Sequence, residues 1–170
     1  VIAKQKRLHL SDATYIIRQL LSGIGYAHNK GFIHRDIKPS NIIFNSEGVA
    51  KIMDFGISKS FFQTKFTKTG AKVGTIYYMS PEQIEGNTLT HHSDIYSLGA
   101  TFYEMITGRP PYLFESEYKV MEGHLKHAYP KIGEKLRGMP PQVDKVLSTA
   151  LSKTPAERYQ NCDDFIAALD

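Results

Sequence analysis

Between positions 34 and 56 the chain reads His34-Arg35-Asp36-Ile37-Lys38-Pro39-Ser40-Asn41 and, after an apolar interval, Asp54-Phe55-Gly56. A carboxylate such as Asp36 can take a proton from an attacking hydroxyl held within hydrogen-bond reach. Asn41 and Asp54 offer hard oxygen donors, the type Mg²⁺ accepts while keeping several waters and leaning on substrate phosphates. Each group also has a plainer reading: Asp36 as the cap of a turn, Asn41 as the closure of an Asx-turn, Asp54-Phe55-Gly56 as a tight turn with a buried ring. Charge is unevenly placed around them. Residues 1–72 hold 12 Lys/Arg against 4 Asp/Glu and residues 73–170 hold 9 against 13, although the whole chain is only +4. The cations stand singly among apolar residues and the aromatics show no RNA-binding pattern, so the expected partner is an anion met by particular side chains, not nucleic acid.

Elements that could position these groups follow from periodicity. Residues 11–30 carry Ile16, Ile17, Leu20, Leu21 and Ile24 at helical spacing, with Ser11 and Asp12 suited to the start and Gly31 to the end. Pro39 and the charges exclude a helix interior or a central strand over 34–41, which reads as a loop. Residues 42–44 and 49–53 are short strands joined by the turn Asn45-Ser46-Glu47-Gly48, a hairpin with Asp54 at its exit. Residues 57–79 show no sustained period and read as a regulated segment. Ser80-Pro81-Glu82 opens a short helix that Gly86 closes. From Ser93 to Thr107 the pattern is apolar nearly all round, as in a buried central helix, and 115–127, 142–152 and 161–169 read as three further helices.

The composition bounds the class. A chain of 170 residues, 41% hydrophobic and 22% charged, is one ordinary domain, too short for two full lobes. The single cysteine, Cys162, permits no internal disulfide and suits a reducing compartment, so a cytoplasmic location is expected, with any membrane anchor outside this segment. No apolar run reaches the roughly 18 residues of a membrane span, and residues 1–30 lack the order of a signal peptide. His91-His92 and the pair His124/His127 have no converging Cys or further His in the sequence, so both read as surface histidines.

The order His-Arg-Asp, Asn five residues after the Asp, then Asp-Phe-Gly, then a helix-opening x-Pro-Glu resembles the motif set of protein kinases. Ile37 takes the place of the usual Leu, and Ser80-Pro81-Glu82 that of Ala-Pro-Glu. The chain is similar along nearly its whole length to the C-terminal lobe of a eukaryotic-like (Hanks-type) serine/threonine protein kinase, bacterial members above all. The resemblance implies an α+β, mostly α-helical lobe with a small β-hairpin at the catalytic loop and no N-terminal lobe. One domain, 1–170, would comprise a catalytic loop at 34–41, an activation segment at 54–82 and a helical subdomain at 93–170.

What the resemblance implies residue by residue is phosphoryl transfer from ATP to protein Ser/Thr hydroxyls with Mg²⁺, or Mn²⁺ in its place. Asp36 would accept the hydroxyl proton and Lys38 would meet the γ-phosphate. Asn41 and Asp54 would hold the metal. Lys38, Ser40, Asn41, Ile43 and Asp54 would line the nucleotide, Ile43 beneath the adenine unless it serves only the core. Lys38 and Thr75 mark serine/threonine acceptors, with Thr75 in the substrate pocket. His34 and Phe55 would stack below the nucleotide, held by Asp94 accepting backbone hydrogen bonds. Glu82 would pair with Arg158 in a buried ion pair. Thr67 and Thr69 would be activation-segment phosphosites, received by Arg35 and Lys59.

The sequence departs from the family where a complete kinase needs a glycine-rich loop, a strand Lys and a helix Glu. Gly23-Ile24-Gly25 lies in a helix pattern and is no phosphate loop. The missing N-terminal lobe is therefore an expected partner, besides a protein substrate, and these residues alone are expected to be weak or inactive. Two other classes compete. A pseudokinase or docking module would keep the fold and lose a motif residue, whereas Asp36, Lys38, Asn41 and Asp54 are all intact. A small-molecule phosphotransferase of kinase-like fold would not be expected to join Lys38-Pro39, Ser80-Pro81-Glu82 and Arg158.

Overall fold

A computed structural model describes residues 7–54, 74–134 and 136–170, and these described residues are mostly helical with one two-stranded sheet. Helix α1 (Leu10–Asn29) turns a stripe of Ala13, Ile16, Ile17, Leu20, Leu21, Ile24 and Ala27 inward. It starts one residue before Ser11, with His9 at the N-cap, and the preceding Leu8 N–H donates to Met105 O at 2.7 Å. That tertiary bond, not a side-chain cap, fixes its entry. Strands β1 (Ile42–Phe44) and β2 (Ala50–Ile52) pair antiparallel with Ile42 opposite Ile52 and Phe44 opposite Ala50. Asn45 closes their turn, its Oδ1 accepting Val49 N–H at 2.8 Å and Glu47 N–H at 3.1 Å. Gln19 of α1 accepts Ala50 N–H at 2.7 Å and so ties the hairpin to the helix.

Helix α2 (Pro81–Glu85) has Ser80 at its N-cap, a reciprocal bond with Gln83, Pro81 at the first position and Gly86 closing it at φ 73°. Helix α3 (His91–Thr107) begins two residues earlier than its apolar pattern, because Thr90 takes the N-cap and donates its N–H to Ser93 Oγ at 3.3 Å. It is buried all round, Ile95, Tyr96, Leu98, Phe102, Met105 and Ile106 included, and burying each side chain of this size contributes roughly 1.5–3 kcal/mol. Helices α4 (Glu117–Lys126), α5 (Pro141–Ala150) and α6 (Cys162–Ala168) are each shorter than their sequence patterns. Gly99 lets α5 lie close on α3: a Cβ there would stand 2.9 Å from Ala150 Cβ. Single 3₁₀ turns occupy Pro39–Asn41, Thr75–Tyr78 and Pro155–Glu157. The Pro39 turn needs no N–H from proline, and the Thr75 turn gives order to the end of a stretch that has no sequence period. Among the described residues no helix is long and apolar enough to cross a membrane.

One buried ion pair locks α2 to the C-terminal helices. Arg158 Nη1 and Nη2 lie 2.7 Å and 2.9 Å from the two oxygens of Glu82, and Ser93 Oγ donates to Glu82 at 2.7 Å. Arg158 also donates to the carbonyls of Ser152, His92 and Lys153. Burial pushes the Glu82 carboxyl up, but the Arg158 hydrogen bonds and charge, with Ser93, win and hold it below 4.5. A depressed carboxyl stabilises the fold above its unfolded value, and that contribution is lost as pH falls through the folded one. Arg158→Met is expected to cost about 3–5 kcal/mol, since it strands a buried carboxylate. Thermal unfolding at neutral and acid pH checks this: the deficit is largest at neutral pH and shrinks as Glu82 protonates.

Candidate active site

Past α1, Gly31 adopts φ 79° and carries Phe32 and Ile33 to the loop at 34–41. That loop hangs on one buried side chain. Asp94, in the first turn of α3 and 0% exposed, accepts His34 N–H at 2.8 Å on Oδ2 and Arg35 N–H at 2.9 Å on Oδ1. The helix N-terminus favours a carboxylate there, and the paired N–H groups offset its burial. Arg35 is left-handed at φ 71°, a conformation that costs a non-glycine residue about 1–3 kcal/mol unless its surroundings impose it. Here they do, because its N–H is held by Asp94 and its carbonyl accepts Gln83 Nε2 at 2.8 Å. His34 is fully buried, with Nε2 3.0 Å from Met53 O and Nδ1 3.3 Å from Asp36 N. Since Asp36 N–H donates to Nδ1, the ring proton belongs on Nε2, where it reaches Met53 O.

Asp36 stands at the centre of the polar cluster. Lys38 Nζ is 2.9 Å from Asp36 Oδ1 and 2.8 Å from Oδ2, and it also donates to Thr75 Oγ1 at 2.7 Å. Asn41 Nδ2 donates to Asp36 O at 2.7 Å and to Asp36 Oδ2 at 3.2 Å, which leaves its amide oxygen as the remaining ligand atom. Asn41 O accepts Met53 N–H at 2.8 Å and so fixes the chain that delivers Asp54. Asp54 is exposed and, at φ 58°, is with Arg35 one of two non-glycine residues with positive φ among those described. An amide oxygen and an exposed carboxylate on segments joined by a backbone hydrogen bond suit Mg²⁺, which takes its other oxygens from water and phosphate.

The remaining candidates are placed as follows. Ser40 is exposed, and so is Arg35 apart from its bonded backbone. Ile43 is 41% exposed on the outer face of the hairpin, which overturns a purely core role for it. Thr75 joins the cluster through Lys38. Phe55, Lys59, Thr67 and Thr69 lie outside the described residues. The surface reading of His124 fails: it is 0% exposed, its Nδ1 2.8 Å from Tyr96 OH and its ring 4.8 Å from that of Tyr112. Burial, then the charge of Lys153, drives His124 down to about 3, against backbone hydrogen bonds that oppose the shift. His91 Nε2 and His92 Nε2 both face Gln160, at 2.9 Å and 3.2 Å. Sequence reasoning missed Gln83, which anchors the Arg35 carbonyl, and His28, 2.8 Å from Asp94. No local pattern marks either, since both act across more than 45 residues of chain.

The family model for the protein kinase domain matches residues 1–167. Serine/threonine-protein kinase PknE of Mycobacterium tuberculosis (strain ATCC 25618 / H37Rv) is 37% identical over 99% of this chain and 30% of its own length. PrkC of Bacillus subtilis (strain 168), another serine/threonine-protein kinase, is 37% identical over 95% of this chain and 25% of its own length. PknD of M. tuberculosis (strain CDC 1551 / Oshkosh) is 38% identical over 93% and 24%. The chain thus spans less than a third of these relatives. With the kinase model covering all but its last three residues, and bacterial serine/threonine kinases similar to it over nearly its full extent, the chain belongs to the protein kinase family.

Proposed function

We propose that this chain supplies the phosphoryl-transfer half of a serine/threonine protein kinase, acting with an N-terminal lobe on ATP and a protein hydroxyl. The observation that carries the reading is the Asp36 cluster, in which one carboxylate is flanked by Lys38 and Asn41, with Thr75 beyond the lysine. Asp36 holds the substrate hydroxyl in line with the γ-phosphate and takes its proton as the new O–P bond forms and the bond to ADP breaks. Lys38 neutralises charge on the moving phosphoryl group, and its bonds to Asp36 and Thr75 hold the ammonium between them. Asn41 and Asp54 would hold Mg²⁺, which would supply positive charge against the phosphates. Ile43 offers an apolar surface to the adenine, and Ser40 lies beside the nucleotide. His34, buried beneath the loop, supports it through its bonds to Met53 O and Asp36 N–H.

In the full-length protein, Asp36→Asn lowers kcat for peptide phosphorylation by about 10²–10⁴ with an unchanged melting temperature. Near-normal activity in that variant contradicts the mechanism. Phosphoamino-acid analysis of the product shows phosphoserine and phosphothreonine; phosphotyrosine contradicts the acceptor class.

Regulation follows from the same loop. The exposed Arg35, with Lys59, receives a phosphate on Thr69 or Thr67, which brings about −1.5 to −2 charges and one to three charge-assisted hydrogen bonds. Mass spectrometry of the autophosphorylated protein finds these threonines modified, and Thr67→Ala/Thr69→Ala lowers activity. Full activity in the double variant refutes this role.

A further inference from the structure

We propose that Cys162 and His28 form a hydrogen-bond relay from α6 to the loop at 34–41, with His28 a positioning residue for phosphoryl transfer and Cys162 fixing the tautomer of its ring. The effect on rate rests on the kinase reading above; the relay itself does not. His28 lies in the last turn of α1 with its side chain 10% exposed. Its Nε2 is 2.8 Å from Asp94 Oδ2 and its Nδ1 is 3.8 Å from Cys162 Sγ. A carboxylate only accepts, so Nε2 carries a proton, and in the neutral ring Nδ1 is then an acceptor that needs a donor.

The thiol is that donor. Burial, with the charges of Asp94 and Asp163, pushes Cys162 up to about 12, so it keeps its proton at neutral pH. Gly25 helps bring it within reach: a Cβ at that position would stand 3.1 Å from Cys162 Cβ, so a larger residue would push α6 back from α1 by a few tenths of an ångström. Asp94 Oδ2, which takes the His28 bond, is also the atom that accepts His34 N–H. Sγ–H donates to Nδ1, Nε2–H donates to Oδ2, and Oδ2 also accepts the His34 N–H, so the contacts run unbroken from the C-terminal helix to the residue two before Asp36. A cavity of about 270 Å³, lined by His28, Phe32, Ile33, Leu89, Thr90 and His91, opens beside the ring. It is large enough to admit a free imidazole.

The test uses the full-length protein with ¹⁵N-labelled histidine. Wild-type His28 shows a protonated Nε2 and an acceptor Nδ1; Cys162→Ala moves the Nδ1 resonance toward that of an unbonded acceptor, and Cys162→Ser restores it. A ring protonated at Nδ1, or a resonance indifferent to Cys162→Ala, overturns the relay. In kinetics, His28→Ala lowers kcat by roughly tenfold to a hundredfold, the scale of a small misplacement of reacting groups, with KM for ATP nearly unchanged. Added imidazole restores part of it, and His28→Gln, which keeps a donor toward Asp94, retains most of it. Should His28→Ala not fold, the Gln variant and the ring resonances decide. Unaltered kcat in a folded His28→Ala overturns the positioning role alone, whereas a wild-type protein that transfers no phosphate overturns the kinase reading.

Discussion

The structure depends on how one buried carboxylate is satisfied. Asp94 is withdrawn from water on α3, where an unpaired charge would cost several kcal/mol. Two backbone N–H groups and one imidazole supply the partners, and both N–H groups belong to the loop that bears Asp36. The loop cannot leave without stranding the charge. That constraint also holds Arg35 in a left-handed conformation it would not adopt by itself, which turns the following residues toward Lys38 and Asn41. Backbone strain at Arg35 is thus part of how the proposed base is aimed.

A second group of buried polar contacts braces the turn that carries Thr75. The turn Thr75–Tyr78 is tied to α3 twice: Ser97 Oγ donates to Tyr78 O at 2.8 Å, and Tyr78 OH donates to Glu104. Below it, Ile76, Tyr112 and Val120 form a small apolar cluster of their own. Lys153 Nζ joins Tyr112 OH at 2.9 Å and Gly123 O at 3.2 Å, which connects the far helices to the same turn. Burial, then the Arg158 charge, draws that ammonium down to about 8. The Glu82–Arg158 pair closes the group, so the segment carrying Thr75 is braced on α3 and on the C-terminal helices.

Much of this was legible in the sequence because it is local. The stripe of α1, the Ser80-Pro81 start and Gly86 end of α2 and the Asn45–Gly48 turn each follow from a few neighbouring residues. The motif residues Asp36, Lys38 and Asn41 sit together because only five positions separate them. What was not legible is tertiary. The Thr90 cap starts α3 two residues ahead of its apolar pattern, and α1 enters on a backbone bond to Met105 instead of a polar cap. His124 reads as a surface residue, since nothing nearby in sequence announces Tyr96 and Tyr112 around it. Ile43 on its strand has the pattern of a core residue, yet the two-stranded sheet leaves its outer face open.

The central claim, that the Asp94 carboxylate orients the loop that bears Asp36, is tested most directly by Asp94→Asn in the full-length protein. Asparagine keeps the size but turns one acceptor oxygen into a donor, which must then face the N–H of His34 or of Arg35. The measurement is γ-phosphate transfer to a serine peptide, on preparations matched for folding by circular dichroism. The account predicts a fall in kcat of about 10²-fold, the scale reached when reacting groups are displaced by roughly 1 Å. Transfer at the wild-type rate in a folded Asp94→Asn protein would contradict it.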